Sequence, residues 1–218
     1  GGNNGGAGHV LAALAAAEGL AVQRILLKGI DELTGDARLA AEMATAAGVG
    51  AEPWEVGMEL SGELVVDALL GTGLAGEVRD AFREAIAAVN ASGLPVYAID
   101  IPSGLHADTG AVLGEAVRAS ATVTFIGDKL GLYTGAAADH VGELAFRALG
   151  VEALAEADLL PAARLLDASL IDAWLPPRPR SAHKGECGHV LILGGAPGFG
   201  GAALLAAEAC GRLGAGKV

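Results

Sequence analysis

The chain has 218 residues, 52% of them hydrophobic, and a mean hydropathy of +0.47, enough to build a well-buried core. Its 26 acidic and 14 basic residues leave a net charge of −12, which argues against electrostatic binding of nucleic acid or of an anionic membrane. Two cysteines, Cys187 and Cys210, are too few for a disulfide framework and read as small apolar fillers. No leader or membrane span is visible, since the longest uncharged stretch (190–207) is interrupted by glycines and Pro197, and cytoplasm is the expected compartment.

In chain order, Gly1-Gly2-Asn3-Asn4-Gly5-Gly6-Ala7-Gly8 reads as a glycine-rich loop. Residues without Cβ take positive φ and expose their N–H groups to a ligand, and Asn tolerates the same conformations best among the others. Val10–Ala17 reads as an alanine-rich helix and Gln23–Leu27 as a short apolar strand. Asp36 is placed to cap a helix with Leu39, Met43 and Ala46 on one face, and Gly48 stops it. Leu64–Leu70 is the next buried strand, with Asp67 embedded in it. A helix over Gly76–Ala91 aligns Val78, Phe82, Ile86 and Val89 on one stripe. Pro95–Ile99, Thr122–Ile126 and Glu143–Arg147 are further strands. This alternation predicts an α/β fold with a mostly parallel sheet.

Beyond Gly150 the composition changes. Residues 151–175 read as helical and 176–180 (Pro-Pro-Arg-Pro-Arg) as a linker. Gly188–Leu193 then reads as a strand, 194–201 as a glycine-rich loop and the following residues as a helix to about Leu213. One such unit cannot bury both of its faces, and a glycine loop normally follows a strand. The sequence is therefore expected to be cut short at both ends.

Three oxygen-bearing side chains, Asn4, Asp67 and Ser103, come from the glycine segment and two strand ends. Brought to one sheet edge they suit a hard cation; taken separately they are a turn residue, a loop-side acid and a cap. Asp100 leaves an apolar strand into the Pro-set turn Ile101-Pro102-Ser103-Gly104, where a partly desolvated carboxylate is suited to proton transfer or to capping the turn. Lys129 follows the next strand and can reach the same rim, or lie solvated in its loop. Gly71-Thr72-Gly73-Leu74-Ala75-Gly76-Glu77, between strand and helix, has the character of an anion site. It is not a Walker motif, and it is weak as a dinucleotide fingerprint. His106, His140 and His183 form no triad pattern, and Ser103 has no paired base.

Taken together, Asn3-Asn4-Gly5-Gly6, Asp67-Ala68-Leu69-Leu70-Gly71-Thr72-Gly73 and Asp100-Ile101-Pro102-Ser103-Gly104 resemble the signature segments of the NAD(P)H-hydrate epimerases. Asp108-Thr109-Gly110, Val123-Thr124-Phe125 and Lys129-Leu130-Gly131 continue the likeness, which covers residues 1–150. His183-Lys184-Gly185, Gly188-His189-Val190, the 194–201 loop and Gly211-Arg212-Leu213-Gly214-Ala215-Gly216 are similar to the opening of the ADP-dependent NAD(P)H-hydrate dehydratase domain. The whole resembles a bifunctional NAD(P)H-hydrate repair enzyme.

The resemblance implies a Rossmann-like three-layer epimerase domain over 1–150, a connector over 151–180 and a ribokinase-like dehydratase fragment over 181–218. It implies potassium held by Asn4, Asp67 and Ser103, and an NAD(P)H-hydrate site lined by Asn3, Asn4, Gly5, Gly6, Ala7, Gly71 to Glu77 and Asp100. Asp100 and Lys129 would be catalytic. ADP or ATP would serve the dehydratase part, and family members are often homodimers. Ala7 stands where the family pattern carries Asp, so a dinucleotide-binding module with impaired turnover is the alternative reading.

Overall fold

The computed structural model describes residues 2–151 and 160–218. The chain divides into two compact units, Gly1–Ala163 and Arg164–Val218, each described by itself.

The first unit opens with helix α1 (Gly2–Ala17). This corrects the expected loop: Asn3 to Gly8 are helical, and of these early residues only Gly2 has positive φ, at 72°. The glycines serve close packing instead. A Cβ on Gly6 would lie 3.3 Å from Ala37 Cα, and one on Gly8 would lie 2.5 Å from Ala68 Cβ. Strand β1 (Ile25–Leu26) is shorter than Gln23–Leu27 and pairs in parallel with β2 (Glu52–Pro53).

Between them α2 (Gly35–Ala46) packs on α1 and ends at Gly48, whose φ of 84° suits glycine. The buried side of α2 is Ala37, Ala40, Ala41 and Ala44, whereas Leu39 and Met43 are exposed, contrary to the expected face. Small residues win here because the neighbouring helix approaches through its own glycines. Arg24 is buried behind α2. Its guanidinium donates to the carbonyls of Ala41 and Val49 at 2.9 Å and to Thr45 Oγ1 at 2.9 Å, so the helix end is closed by a cation.

The main sheet is fully parallel, in the order β3 (Val65–Asp67), β4 (Val96–Ile99), β5 (Ala121–Phe125), β6 (Glu143–Arg147). Helix α3 (Asp80–Ala91) connects β3 to β4. It starts four residues later than Gly76; Val78 stays buried, but in the segment before the helix, where its N–H donates to Leu113 O at 2.8 Å. The expected strand over Leu64–Leu70 keeps only its first half, and the chain turns immediately after Asp67.

Two apolar clusters are buried in this unit. One is Val78, Ile86, Val89, Val96 and Val117; the other is Ile101, Leu105, Leu132, Ala137 and Val141. Each fully buried side chain of this kind contributes about 1.5–3 kcal/mol, and Ile101 and Leu105 anchor the segment after β4 in the second cluster.

In the second unit, the expected helical stretch over 151–175 lies partly outside the described residues. Within them, α4 spans Ala168–Trp174, capped by Asp167, whose Oδ1 accepts from Leu170 N at 3.1 Å. Gly188–Leu193 is not a strand; a single parallel bridge joins His189 to Lys217. Helix α5 runs from Gly201 to Arg212. Cys187 and Cys210 are both half-buried free thiols and not core fillers. No described helix is long and apolar enough to cross a membrane.

Candidate functional site

Because β3 and β4 are parallel and in register, with Asp67 opposite Ala98, the turns leaving them lie side by side. Asp67 is 1% exposed. Its Oδ1 accepts from Ser103 Oγ at 2.6 Å and from Leu69 N at 3.2 Å, and its Oδ2 accepts from Ser103 N at 2.8 Å. Burial pushes the Asp67 carboxyl above the usual carboxylate range, and the bonds from Ser103 and Leu69 offset part of that rise. Among the described residues no Lys, Arg or His forms an ion pair with it.

Ser103, itself fully buried, also accepts from Leu70 N at 2.8 Å. Asn4, on the first turn of α1, donates from Nδ2 to Leu70 O at 2.8 Å. The three residues singled out for oxygen chemistry thus surround one short turn, with the Leu70 carbonyl as a fourth oxygen that composition could not single out. Gly71 abuts Asn4, since a Cβ on Gly71 would come within 3.0 Å of Asn4 Cβ.

Asn4, Asp67, Ser103 and the Leu70 carbonyl all carry oxygen, and their one formal charge is a buried carboxylate without a cationic neighbour, which is the chemistry a hard cation requires. Here these oxygens bond to one another and to backbone, and Asn4 turns Nδ2 to the Leu70 carbonyl. No group of three or more His, Cys, Asp or Glu occurs among the described residues, so a transition-metal site has no basis there.

Asp100 follows β4 at a φ of 70°, and the Ile101 N–H donates back to Ile99 O at 2.9 Å. The chain therefore reverses in a three-residue γ-turn of the rare, positive-φ kind, an outlier of the sort that clusters at functional sites. The neighbouring strand ends in the same way. Ile126 has a φ of 66°, with Gly127 N donating to Phe125 O at 2.7 Å.

Between these turns stands the pair expected from sequence. Lys129 Nζ donates to Asp100 Oδ1, to Thr124 Oγ1 at 2.9 Å and to Phe125 O at 2.9 Å. Oδ1 also accepts from Phe125 N at 3.2 Å and from Thr124 Oγ1 at 3.3 Å. Among the described residues Oδ2 receives no hydrogen bond. The side chains of Lys129 and Asp100 keep 16% and 21% exposure, so the pair is sheltered but reachable.

The remaining expected residues lie more loosely. Asn3 is exposed and, with Gly2, borders a cleft of about 360 Å³ that Lys28, Thr34, Leu70 and Phe82 also line. Gly5 and Gly6 face inward, and Ala7 is exposed on α1. Thr72 to Glu77 form the β3–α3 connection; its residues are mostly exposed, and no hydrogen bond joins 72–77 to the cluster among the described residues. Because α3 begins only at Asp80, Gly71–Glu77 does not abut a helix N-terminus, and the anion site expected there loses its basis. Thr124 carries no site signal in the sequence, because a buried strand threonine has the character of ordinary core.

Fold and site define a mixed α/β protein whose parallel strands bring a buried cluster of oxygen-bearing side chains and a carboxylate–lysine pair to one sheet edge. The sequence pattern of the family described as YjeF-related protein N-terminus matches residues 1–131, and the chain belongs to that family. A protein of Coxiella burnetii named bifunctional NAD(P)H-hydrate repair enzyme Nnr is 46% identical over 217 residues, covering 100% of this chain and 44% of the relative. The protein of the same name from Escherichia coli is 40% identical over 217 residues, covering 100% of this chain and 42% of its own length. The chain therefore spans under half the length of these curated relatives. Among solved structures, yeast ynu0 superposes with a TM-score of 0.54 at 18% identity, over 66% of this chain and 61% of the yeast chain, a likeness of fold alone.

Proposed function

We propose that the chain interconverts the R and S forms of NAD(P)H hydrate, with Asp100 as the proton-handling group and Lys129 as its partner. The observation that carries this reading is the asymmetry of the Asp100 carboxylate: Oδ1 is held by Lys129, Thr124 and Phe125, while Oδ2 is left for a ligand. An epimerisation at a hydrated ring carbon needs one such group. The C6–O bond breaks as a proton is supplied to the leaving hydroxyl, which departs as water while the ring nitrogen lone pair stabilises the cation. Water then adds to the opposite face and returns a proton, so no atoms are gained or lost.

Potassium belongs to the same proposal. Asn4, Asp67, Ser103 and the Leu70 carbonyl would hold it, and it would supply a fixed positive charge beneath the site. Asn3 to Ala7, Gly71 to Glu77 and Asp100 are proposed to border the hydrate. ADP- or ATP-dependent dehydration is assigned to no residue of this chain. The reading of a binding module without turnover is favoured by one observation, the apolar Ala7 standing exposed on α1 beside the inward-facing glycines.

Chromatographic measurement of R/S interconversion of NADPH hydrate separates the two readings. The expected result is acceleration over the spontaneous rate that fades when potassium is replaced by lithium. A folded chain that gives no acceleration in potassium would overturn the epimerase reading and leave the binding module.

A further inference from the structure

We propose that the Thr124 hydroxyl is a positioning group that decides which oxygen of Asp100 meets the substrate; the proposal rests on the epimerase reading above. Thr124 lies on β5, is fully buried, and stands at the closed side of the Asp100–Lys129 pair. A hydroxyl carries one proton to donate and lone pairs to accept, and both are used here. Oγ1 accepts from Lys129 Nζ at 2.9 Å and donates to Asp100 Oδ1 at 3.3 Å.

The same strand supplies an internal control. Thr122, two residues earlier on the same face and equally buried, donates to the Val141 carbonyl at 2.7 Å, the ordinary backbone role of a strand threonine. Thr124 instead bonds to the two charged side chains.

The geometry around it explains why a clamp is needed. Asp100 and Lys129 reach each other from beyond two sharp turns, at φ 70° for Asp100 and φ 66° for Ile126. Lys129 lies beyond β5, and Asp100, just past β4, keeps a ladder bond from its N–H to Val123 O at 2.8 Å. The terminal torsion of an Asp side chain is soft and close to two-fold, so its two oxygens exchange unless donors mark one of them. Phe125 N, Lys129 Nζ and Thr124 Oγ1 together mark Oδ1. Valine has the shape of threonine and suits a strand, but offers neither proton nor lone pair. It would leave one ammonium proton unpaired and remove one of the three donors that mark Oδ1.

Two variants of the full chain, Thr124→Val and Thr124→Ser, test this with two readouts. In epimerisation kinetics, Thr124→Val is expected to lower kcat by about 10- to 100-fold, the scale of a misplaced reacting group. KM should move less than about two-fold, and Thr124→Ser should restore most of the rate. In competitive acetylation of lysines by acetic anhydride, read by mass spectrometry, Lys129 should label several-fold faster in Thr124→Val than in the unsubstituted chain or in Thr124→Ser. An unchanged kcat in Thr124→Val overturns the proposal. So does an equal loss in both variants, which would mean packing and not the hydroxyl. Labelling needs no turnover: unchanged Lys129 reactivity in Thr124→Val sinks the clamp alone, whereas an unsubstituted chain without epimerase activity sinks the parent reading.

Discussion

Asp67 and Asp100 end neighbouring parallel strands and meet opposite surroundings. Asp67 is buried, spends its oxygens on Ser103 and Leu69, and has no cationic neighbour among the described residues. Asp100 is partly reachable, and one of its oxygens is bound to a lysine. The difference shows how one sheet edge can give two carboxylates two chemistries. A buried charge without a counter-charge is costly unless a cation is recruited, whereas a paired carboxylate with one oxygen unbonded suits the proton transfer proposed above. Sequence distance from the strand end decides much of this. Asp67 is the last residue inside β3 and Asp100 the first outside β4.

The comparison breaks most completely at Gly104. This residue follows Ser103, has a φ of 94°, and a Cβ on it would overlap the carbonyl oxygen of Glu115. Gly104→Ala is expected to cost about 3–5 kcal/mol, in the range of severe backbone and packing faults, because displacing Gly104 also displaces Ser103, which bonds to Asp67 and Leu70. Urea unfolding reads it, and a cost below about 1 kcal/mol would mean that the turn yields.

A pair of substitutions sharpens the contrast. Asp100→Asn is expected to slow epimerisation by about 100-fold, the scale of a lost general acid–base group, with little change in the unfolding midpoint. Asp67→Asn should instead lower stability by about 1–3 kcal/mol, since an amide turns a donor toward the Ser103 and Leu69 donors, and should abolish the response to potassium. Thermal unfolding and rate assays on both variants check this, and the same pattern from each would erase the distinction between the two acids.

The smallest effect is a pH dependence. Burial raises the folded-state affinity of Asp67 for a proton above that of the unfolded chain. The folded state then binds more protons across the interval between the two titrations, so stability falls as pH rises through it and is recovered as pH falls. Without potassium, the melting-temperature difference between the unsubstituted chain and Asp67→Asn should therefore shift in favour of the unsubstituted chain on acidification from about pH 7 to about pH 4. Potassium at neutral pH should produce a shift of the same sign. A difference that stays flat with pH would show that Asp67 bears no desolvation cost.

Much of the main sheet was legible in the sequence. Glu143–Arg147 is a strand over the expected residues, Pro95–Ile99 loses only its first residue and Thr122–Ile126 is displaced by one, because apolar β-formers there are bounded by glycine, proline and acidic turn residues. The cluster of Asn4, Asp67 and Ser103 was also legible, as was the reach of Lys129, since parallel strands deliver their ends to one edge.

The glycine segment was misread because composition does not distinguish a glycine that needs positive φ from one that needs no side chain. Gly6 and Gly8 are of the second kind. The face of α2 was misread for a related reason. Hydropathy favours Leu39 and Met43, but a helix that approaches closely leaves room only for alanine. Gly188–Leu193 has the composition of a strand, yet it pairs only through the His189–Lys217 bridge among the described residues. Thr124 was hidden because its role depends on two partners brought to it by turns and not by spacing along its own strand.

The contact between α1 and the turn after β3 carries an evolutionary consequence. At Gly8 a methyl group would stand 2.5 Å from the methyl of Ala68. Volume can be moved between these two positions but not added to them. An alanine at 8 is accommodated by a glycine at 68, and every other enlargement forces α1 away from the turn. Because Ala68 adjoins Asp67 and α1 carries Asn4, the thickness of one methyl group sets the spacing of the oxygens. Two positions that bear no functional group thus share one limited volume at the contact between α1 and the turn.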